Sequence, residues 1–213
     1  MKHPDAKLII FARAPVPGQV KTRLVPALGE TGAAAFYARM ARYVIARMLD
    51  SQLCDMSIDC MPDSNHVFFL GLLEQRCVEL NRQTGSDLGA RMAHALENAL
   101  QHHDYAVLIG SDAPGLDPVY VENAIEALKS GVELVMGPAQ DGGYVLIGMN
   151  VFHGELFKAI DWGTSQVLQQ TLDKARRLNL SVQLLPALWD VDTPTDLEKV
   201  RGDARLAFLL ESP

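Results

Sequence analysis

The chain has 213 residues, 48% of them hydrophobic and 21% charged, with a formal net charge of −7. That is the makeup of an ordinary soluble globule with enough core to need no staples, and one domain spanning 1–213 is the expectation. The negative balance excludes a general nucleic-acid binder, no apolar run approaches the ~18 residues of a membrane span, and Met1 to Lys7 shows no signal-peptide pattern, so a cytoplasmic protein is expected.

From the N-terminus, Leu8-Ile9-Ile10-Phe11 is an apolar run that reads as a buried strand. It ends at Pro15, Pro17 and Gly18, which cannot continue a central strand. Arg13, Lys21 and Arg23 lie in and just after that break. A first strand ending in a Gly/Pro loop with Arg and Lys suits phosphate. The backbone can approach closely at Gly18, Arg grips oxygens bidentately and Lys adds a point charge. An ordinary solvated loop is the alternative. The loop is not a Walker A motif, because Val20 precedes Lys21-Thr22 where that motif needs Gly.

Thr31 to Asp50 reads as a helix, with Phe36, Met40, Tyr43, Val44 and Met48 at helical spacing. A short strand over Met56–Met61, a short helix over His66–Gln75 and a strand over Val78–Gln83 follow. Gly85-Ser86-Asp87 caps a helix from Leu88 to His102. Tyr105 to Ile109 is a second buried strand, ending at Gly110-Ser111-Asp112. Asp117-Pro118 opens a helix that Gly131 stops. Glu133–Met136 and Tyr144–Met149 are strands around a Gly-rich break. Thr164 or Ser165 caps a helix to Asn179, Val182–Leu185 is a strand, and Thr193-Pro194 opens a last pair of short helices. Alternating strands and helices imply a parallel sheet covered on both faces. The break at Gly142-Gly143 implies one antiparallel member.

Cys54, Cys60 and Cys77 fit neither a CxxC pair nor an even disulfide framework and read as reduced thiols. The six histidines are scattered, and adjacent His102 and His103 do not share a helix face. A histidine-based metal site is not expected.

Ligands of open α/β sheets bind outside the carboxyl ends of the strands. Four polar clusters fall at such ends: Arg13 to Arg23, Ser111-Asp112, Gln140 to Gly143 and Asp190 to Asp192. Carboxylates facing a basic loop suit Mg²⁺, a hard ion held by one or two carboxylates plus substrate phosphates. Asp112 and Asp192 are therefore candidate metal ligands, and Arg13, Lys21 and Arg23 candidate phosphate contacts. Each feature has a plainer alternative. Asp112 can shape a turn, Asp192 can cap a helix, and Gly142-Gly143 can make a hairpin turn.

The motifs FARAPVPGQVKTRL, GSDLGARM, LIGSDAPGL, GPAQDGGYVLIG, WGTSQVLQQT and WDVDTPTDL, in that order from Leu8 to Leu197, resemble a bacterial glycosyltransferase-like family associated with radical-SAM proteins. That family has the GT-A, nucleotide-diphosphosugar transferase fold, shared with guanylyltransferases of cofactor synthesis. The resemblance implies a three-layer α/β/α sandwich with a mixed, mostly parallel sheet. It implies that Arg13, Gly18, Lys21 and Arg23 wrap the nucleotide phosphates and that Asp87, Leu88 and Gly89 lie near the nucleobase. Asp112 and Asp192 would hold Mg²⁺ or Mn²⁺. Asp141, Gly142 and Gly143 would face the sugar or acceptor, with Asp141 as a hydroxyl partner or base. Lys21, Asp112 and Asp141 are the candidate catalytic residues. The chain departs from a true DXD motif, since Ser111 precedes Asp112 and Ala113 follows it. Trp162 would wall the site or pack in the core, packing being the commoner role.

The leading expectation is glycosyl transfer from a nucleotide-sugar donor to an unknown small-molecule acceptor. Nucleotidyl transfer from an NTP to a phosphorylated acceptor is the second. A nucleotide-binding protein without catalysis is the third, prompted by the missing DXD carboxylate.

Overall fold

The computed structural model describes residues 1–73 and 78–211. The first strand, β1 (His3–Arg13), lies in the interior of its sheet. Leu8, Ile10 and Ala12 enter one apolar core, and Ile9 and Phe11 enter a second. A strand buried on both faces has no polar face to show, hence the unbroken apolar run.

Strands β2 (Cys54–Met61) and β4 (Tyr105–Gly110) flank β1, both parallel to it, and β3 (Glu79–Arg82) runs parallel to β2. With β5 (Leu134–Pro138), β6 (Tyr144–Met149) and β7 (Val182–Leu184), the order is β3-β2-β1-β4-β6-β5-β7. β6 is antiparallel to both neighbours, β4 and β5, as the Gly142-Gly143 break predicts. β7 returns to the parallel sense beside β5.

Helices cover both faces. α1 (Val25–Ser51) and α4 (Pro118–Lys129) pack on one core through residues such as Phe36, Met40, Met48, Val121 and Ile125. α2 (Val67–Leu73) and α6 (Pro194–Gly202) add Phe68, Phe69, Leu197 and Val200 to that core. α3 (Leu88–Leu100) and α5 (Val167–Arg177) close the other face with Met92, Leu96 and Ala175. Each fully buried large side chain here contributes on the order of 1.5–3 kcal/mol. The result is the expected three-layer α/β/α sandwich. Among the described residues, no helix is long and apolar enough to cross a membrane.

Several boundaries differ from expectation. β1 begins at His3, well before Leu8, because Lys7 is neutralised inside the strand by Asp55 and Glu79, each 2.9 Å from its Nζ. α1 begins at Val25 rather than Thr31, but Gly29 (φ 69°, ψ 166°) interrupts the helical geometry just before the expected start. α5 starts after Gln166, not at Thr164 or Ser165. The Thr164 hydroxyl instead donates to the Asp161 carbonyl, 2.8 Å away, shaping the preceding turn. Asp87 and Asp117 cap α3 and α4, accepting from the N–H groups of Ala90 and Tyr120. Cys54 and Cys60 are buried free thiols, which burial pushes up to about 12. Cys77 and the expected end of the second helix at Gln75 lie outside the described residues.

Candidate active site

The sheet order reverses at β1. β2 and β3 extend to one side and β4 to the other, so the loops leaving β1 and β4 part and leave a crevice at their carboxyl ends. A cavity of about 620 Å³ opens there. Its walls include Arg13, Gln19 to Arg23, Leu88 of α3, Gly110 to Asp112, Asp141 and Asp192.

The β1 loop folds back over the strand ends. Val20 is buried, and Lys21 takes a left-handed conformation (φ 46°) before one turn of 3-10 helix over Thr22–Leu24. This conformation drives the Lys21 side chain inward, leaving it only 6% exposed. Its Nζ donates to Asp112 Oδ2 at 3.0 Å and lies 3.9 Å from Asp192 Oδ1. Arg23 Nη1 donates to Asp192 Oδ2 at 2.6 Å. Two cations from one loop therefore meet two carboxylates from two others.

Electrostatics hold the cluster charged. The Lys21 ammonium, against the cost of desolvation, keeps the Asp112 carboxyl below the usual carboxylate range. Burial works against the Lys21 charge, but Asp112, Asp192 and Asp190 outweigh it and raise its pKa. Asp190 moves the other way, pushed up by burial and then by the negative Asp141 and Asp112. Asp190 is thus part of the same acidic group. Its sequence signal is its place at the head of the Asp190 to Asp192 cluster, which also carries Asp192.

Backbone ties bring the loops together. The Arg13 N–H donates to Tyr37 Oη (2.8 Å), and Tyr37 hydrogen-bonds Ser111 Oγ at 3.0 Å, linking the ends of β1 and β4. Tyr37 and Ser111 both line this crevice; Ser111 belongs to the Ser111-Asp112 cluster that the sequence placed at a strand end, whereas the helical spacing around Tyr37 carries no such signal. The Val191 N–H reaches the Asp112 carbonyl at 3.4 Å. Gly110 leaves room for Asp112, since a Cβ there would lie 2.9 Å from Asp112 Oδ1.

The other predicted residues separate into two groups. Arg13, Lys21, Arg23, Leu88, Asp112, Asp141 and Asp192 all border the cavity. Gly18, Asp87, Gly89, Gly142 and Gly143 are not among its lining residues, and each has visible structural work. Gly18 holds φ +74° beside the Glu30 carboxylate. Asp87 caps α3. A Cβ on Gly89 would fall 2.6 Å from Trp162 Nε1, so Trp162 serves packing. A Cβ on Gly142 would fall 2.3 Å from the Ser165 carbonyl oxygen. The Gly143 N–H donates to Asp141 Oδ1 at 2.9 Å, which orients that carboxylate. Asp192 is no helix cap. Thr193 and Asp196 form a capping box for α6, leaving the Asp192 carboxylate to Arg23 and Lys21.

This architecture is that of the GT-A and nucleotidyltransferase structures, an α/β fold with a seven-stranded mixed, mostly parallel sheet. The chain belongs to the DUF2064 family, described as uncharacterized protein conserved in bacteria, whose model matches residues 44–164. A crystal structure from Desulfovibrio desulfuricans G20, described as a candidate nucleotide-diphospho-sugar transferase, is 32% identical. It covers 97% of this chain and 94% of its own, with a TM-score of 0.83. A nucleotidyl transferase from Methanothermobacter is 12% identical, covers 92% and 96%, and has a TM-score of 0.65. Glucosyl-3-phosphoglycerate synthase from Mycobacterium tuberculosis, solved with Mn²⁺, UDP and glucosyl-3-phosphoglycerate, is 13% identical. It covers 92% and 75%, with a TM-score of 0.54. The last two share the fold. No curated protein matches the chain.

Proposed function

We propose that the chain, acting as one domain, is a transferase that takes a nucleotide-sugar donor and passes its glycosyl group to a small-molecule acceptor. The observation that carries this reading is the convergence of Lys21, Arg23, Asp112 and Asp192 at the carboxyl ends of β1 and β4. The donor diphosphate lies against Arg13, Lys21 and Arg23, which supply point charge and bidentate hydrogen bonds where negative charge builds on the leaving group. The nucleobase end lies toward Leu88. Asp141, oriented by the Gly143 N–H, faces the acceptor and accepts a hydroxyl proton.

Mg²⁺ or Mn²⁺ fits the chemistry of this cluster, because two carboxylates already converge on a single cationic atom, Lys21 Nζ. Asp112 and Asp192 would hold the ion, and it would offset charge on the departing diphosphate. The Desulfovibrio relative supports the donor class, and the Mycobacterium enzyme, which binds Mn²⁺ and UDP, supports the metal.

A second reading is nucleotidyl transfer, from an NTP to a phosphorylated acceptor. It is favoured by the placement of three cations on one loop, which suits a triphosphate. The two reactions leave different products. Incubation with nucleotide sugars and with NTPs, each with Mg²⁺ or Mn²⁺ and a panel of sugar and phosphosugar acceptors, separates them. Nucleoside diphosphate release supports glycosyl transfer, and pyrophosphate release supports nucleotidyl transfer. Saturable nucleotide binding with neither product across the panel would count against both.

A further inference from the structure

We propose that His3, Glu122 and Glu126 form a binding site for a zinc-class divalent metal at the opposite end of the sheet from the cavity. The three residues come from the first residue of β1 and from one face of α4. Each brings one ligand atom to within 4.8 Å of the other two. His3 is ten residues of strand away from Arg13, roughly 30 Å along β1, so the site is separate from the Lys21–Asp112 cluster.

The first observation is the placement of the donors. His3 is pinned by its N–H, which donates to the Leu53 carbonyl at 2.8 Å. Glu122 and Glu126 are one helical turn apart and project side by side. His3 Nε2 lies 3.5 Å from Glu122 Oε1. Tetrahedral ligands about 2.0–2.1 Å from a zinc ion are separated by roughly 3.3 Å, so this pair already has the spacing of two ligands. Glu126 Oε1 lies 3.6 Å from Nδ1 of the same ring, and its side chain is 58% exposed, free to turn onto the metal.

The second observation concerns the ring nitrogen that faces Glu122 without a hydrogen bond. The His3 side chain is only 4% exposed, yet its Nε2 is a buried nitrogen without a hydrogen-bond partner. An imidazole nitrogen that is desolvated and left open is costly unless something binds it. A metal on Nε2 would use that lone pair. Imidazole with carboxylates suits zinc-class ions, whereas Mg²⁺ prefers an all-oxygen shell. The two ends of the sheet would thus select different metals.

Lys2 competes for this site. Its ammonium contacts Glu122 Oε1, supplying a cation there, but the side chain is 63% exposed and can leave. Removing it should therefore tighten metal binding, while removing a ligand should weaken it.

The test is calorimetric titration of the full chain, without added N-terminal residues, with Zn²⁺ alone and with Mg²⁺ alone. One Zn²⁺ should bind that Mg²⁺ does not displace, and Asp112→Asn should retain it. His3→Ala should weaken it at least about 100-fold, beyond the 10–100-fold typical of losing an outer-shell partner. Glu126→Gln, on an exposed position, should weaken it measurably even if His3→Ala fails to fold. Lys2→Ala should bind more tightly than the parent chain. No saturable Zn²⁺ binding, or equal binding by parent and Glu126→Gln, would overturn the site and leave an ion-pair cluster. Equal or weaker binding by Lys2→Ala would overturn the competition.

Discussion

Lys21 Nζ donates a 3.0 Å hydrogen bond to Asp112 Oδ2 across 91 positions of sequence. The ammonium lies 3.0 Å from Asp112 and 3.9 Å from Asp192, and its charge offsets the repulsion between the two carboxylates. In the proposed transferase, a nucleotide phosphate that draws Lys21 toward itself would free both carboxylates for another cation, and phosphate and metal binding would then be coupled through one side chain.

Replacing that side chain tests the phosphate assignment. Lys21→Ala should weaken nucleotide binding about 10- to 100-fold, the equivalent of roughly 1.5–3 kcal/mol for a hydrogen bond to a charged group. Circular dichroism should show an intact fold, because Asp112 is 44% exposed and can be rehydrated. Unchanged titration calorimetry for Arg13→Ala, Lys21→Ala and Arg23→Ala alike would reject the basic loop as the phosphate site.

Asp112→Asn keeps an oxygen but removes the charge. Turnover that depends on Mg²⁺ or Mn²⁺ should fall by at least about 100-fold, as when one preorganised electrostatic group is lost. The melting profile should stay close to that of the parent. Full metal-dependent turnover by a folded Asp112→Asn would remove Asp112 from the chemistry.

Asp196 predicts a pH effect on stability rather than on catalysis. Burial opposes its charge, but hydrogen bonds from the Thr193 hydroxyl and N–H, from Lys199 and from the Asp192 N–H hold its carboxyl down at about 2. A carboxyl lowered in the folded state contributes stability above its ordinary value of 3.8, and that contribution is lost as pH falls toward 2. Asp196→Ala should cost about 1 kcal/mol at neutral pH, the usual worth of a cap. Chemical denaturation should show the difference between parent and Asp196→Ala shrinking as pH falls from 4 toward 2.

Gly142 should resist substitution for reasons of space. Its φ is +92°, and a Cβ would fall 2.3 Å from the Ser165 carbonyl oxygen. Gly142→Ala should destabilise the chain by about 1–3 kcal/mol and displace the turn that carries Asp141. Thermal denaturation with no loss of stability would show that Ser165 gives way freely.

Chain order, local chemistry and the alternation of strands and helices were written in the amino-acid sequence. The doubly buried β1 was visible because a strand covered on both faces must be apolar at every position. The Asp87 and Asp117 caps were visible because capping is local. The reversal at Gly142-Gly143 was visible because tight breaks between strands permit antiparallel pairing. What no local pattern carries is distance between remote side chains. Tertiary structure alone brought Lys21 between Asp112 and Asp192, made Thr193 and Asp196 the cap that frees Asp192, and added Asp190 to the acidic group. It also buried Lys7 between Asp55 and Glu79, which is why a lysine can directly precede the apolar run of β1. Histidine spacing gave no sign of the cluster of His3, Glu122 and Glu126 because both glutamates arrive from a helix more than a hundred residues later. The period of a strand or a helix records which face a residue occupies, whereas the crossing of separate elements decides what that face meets.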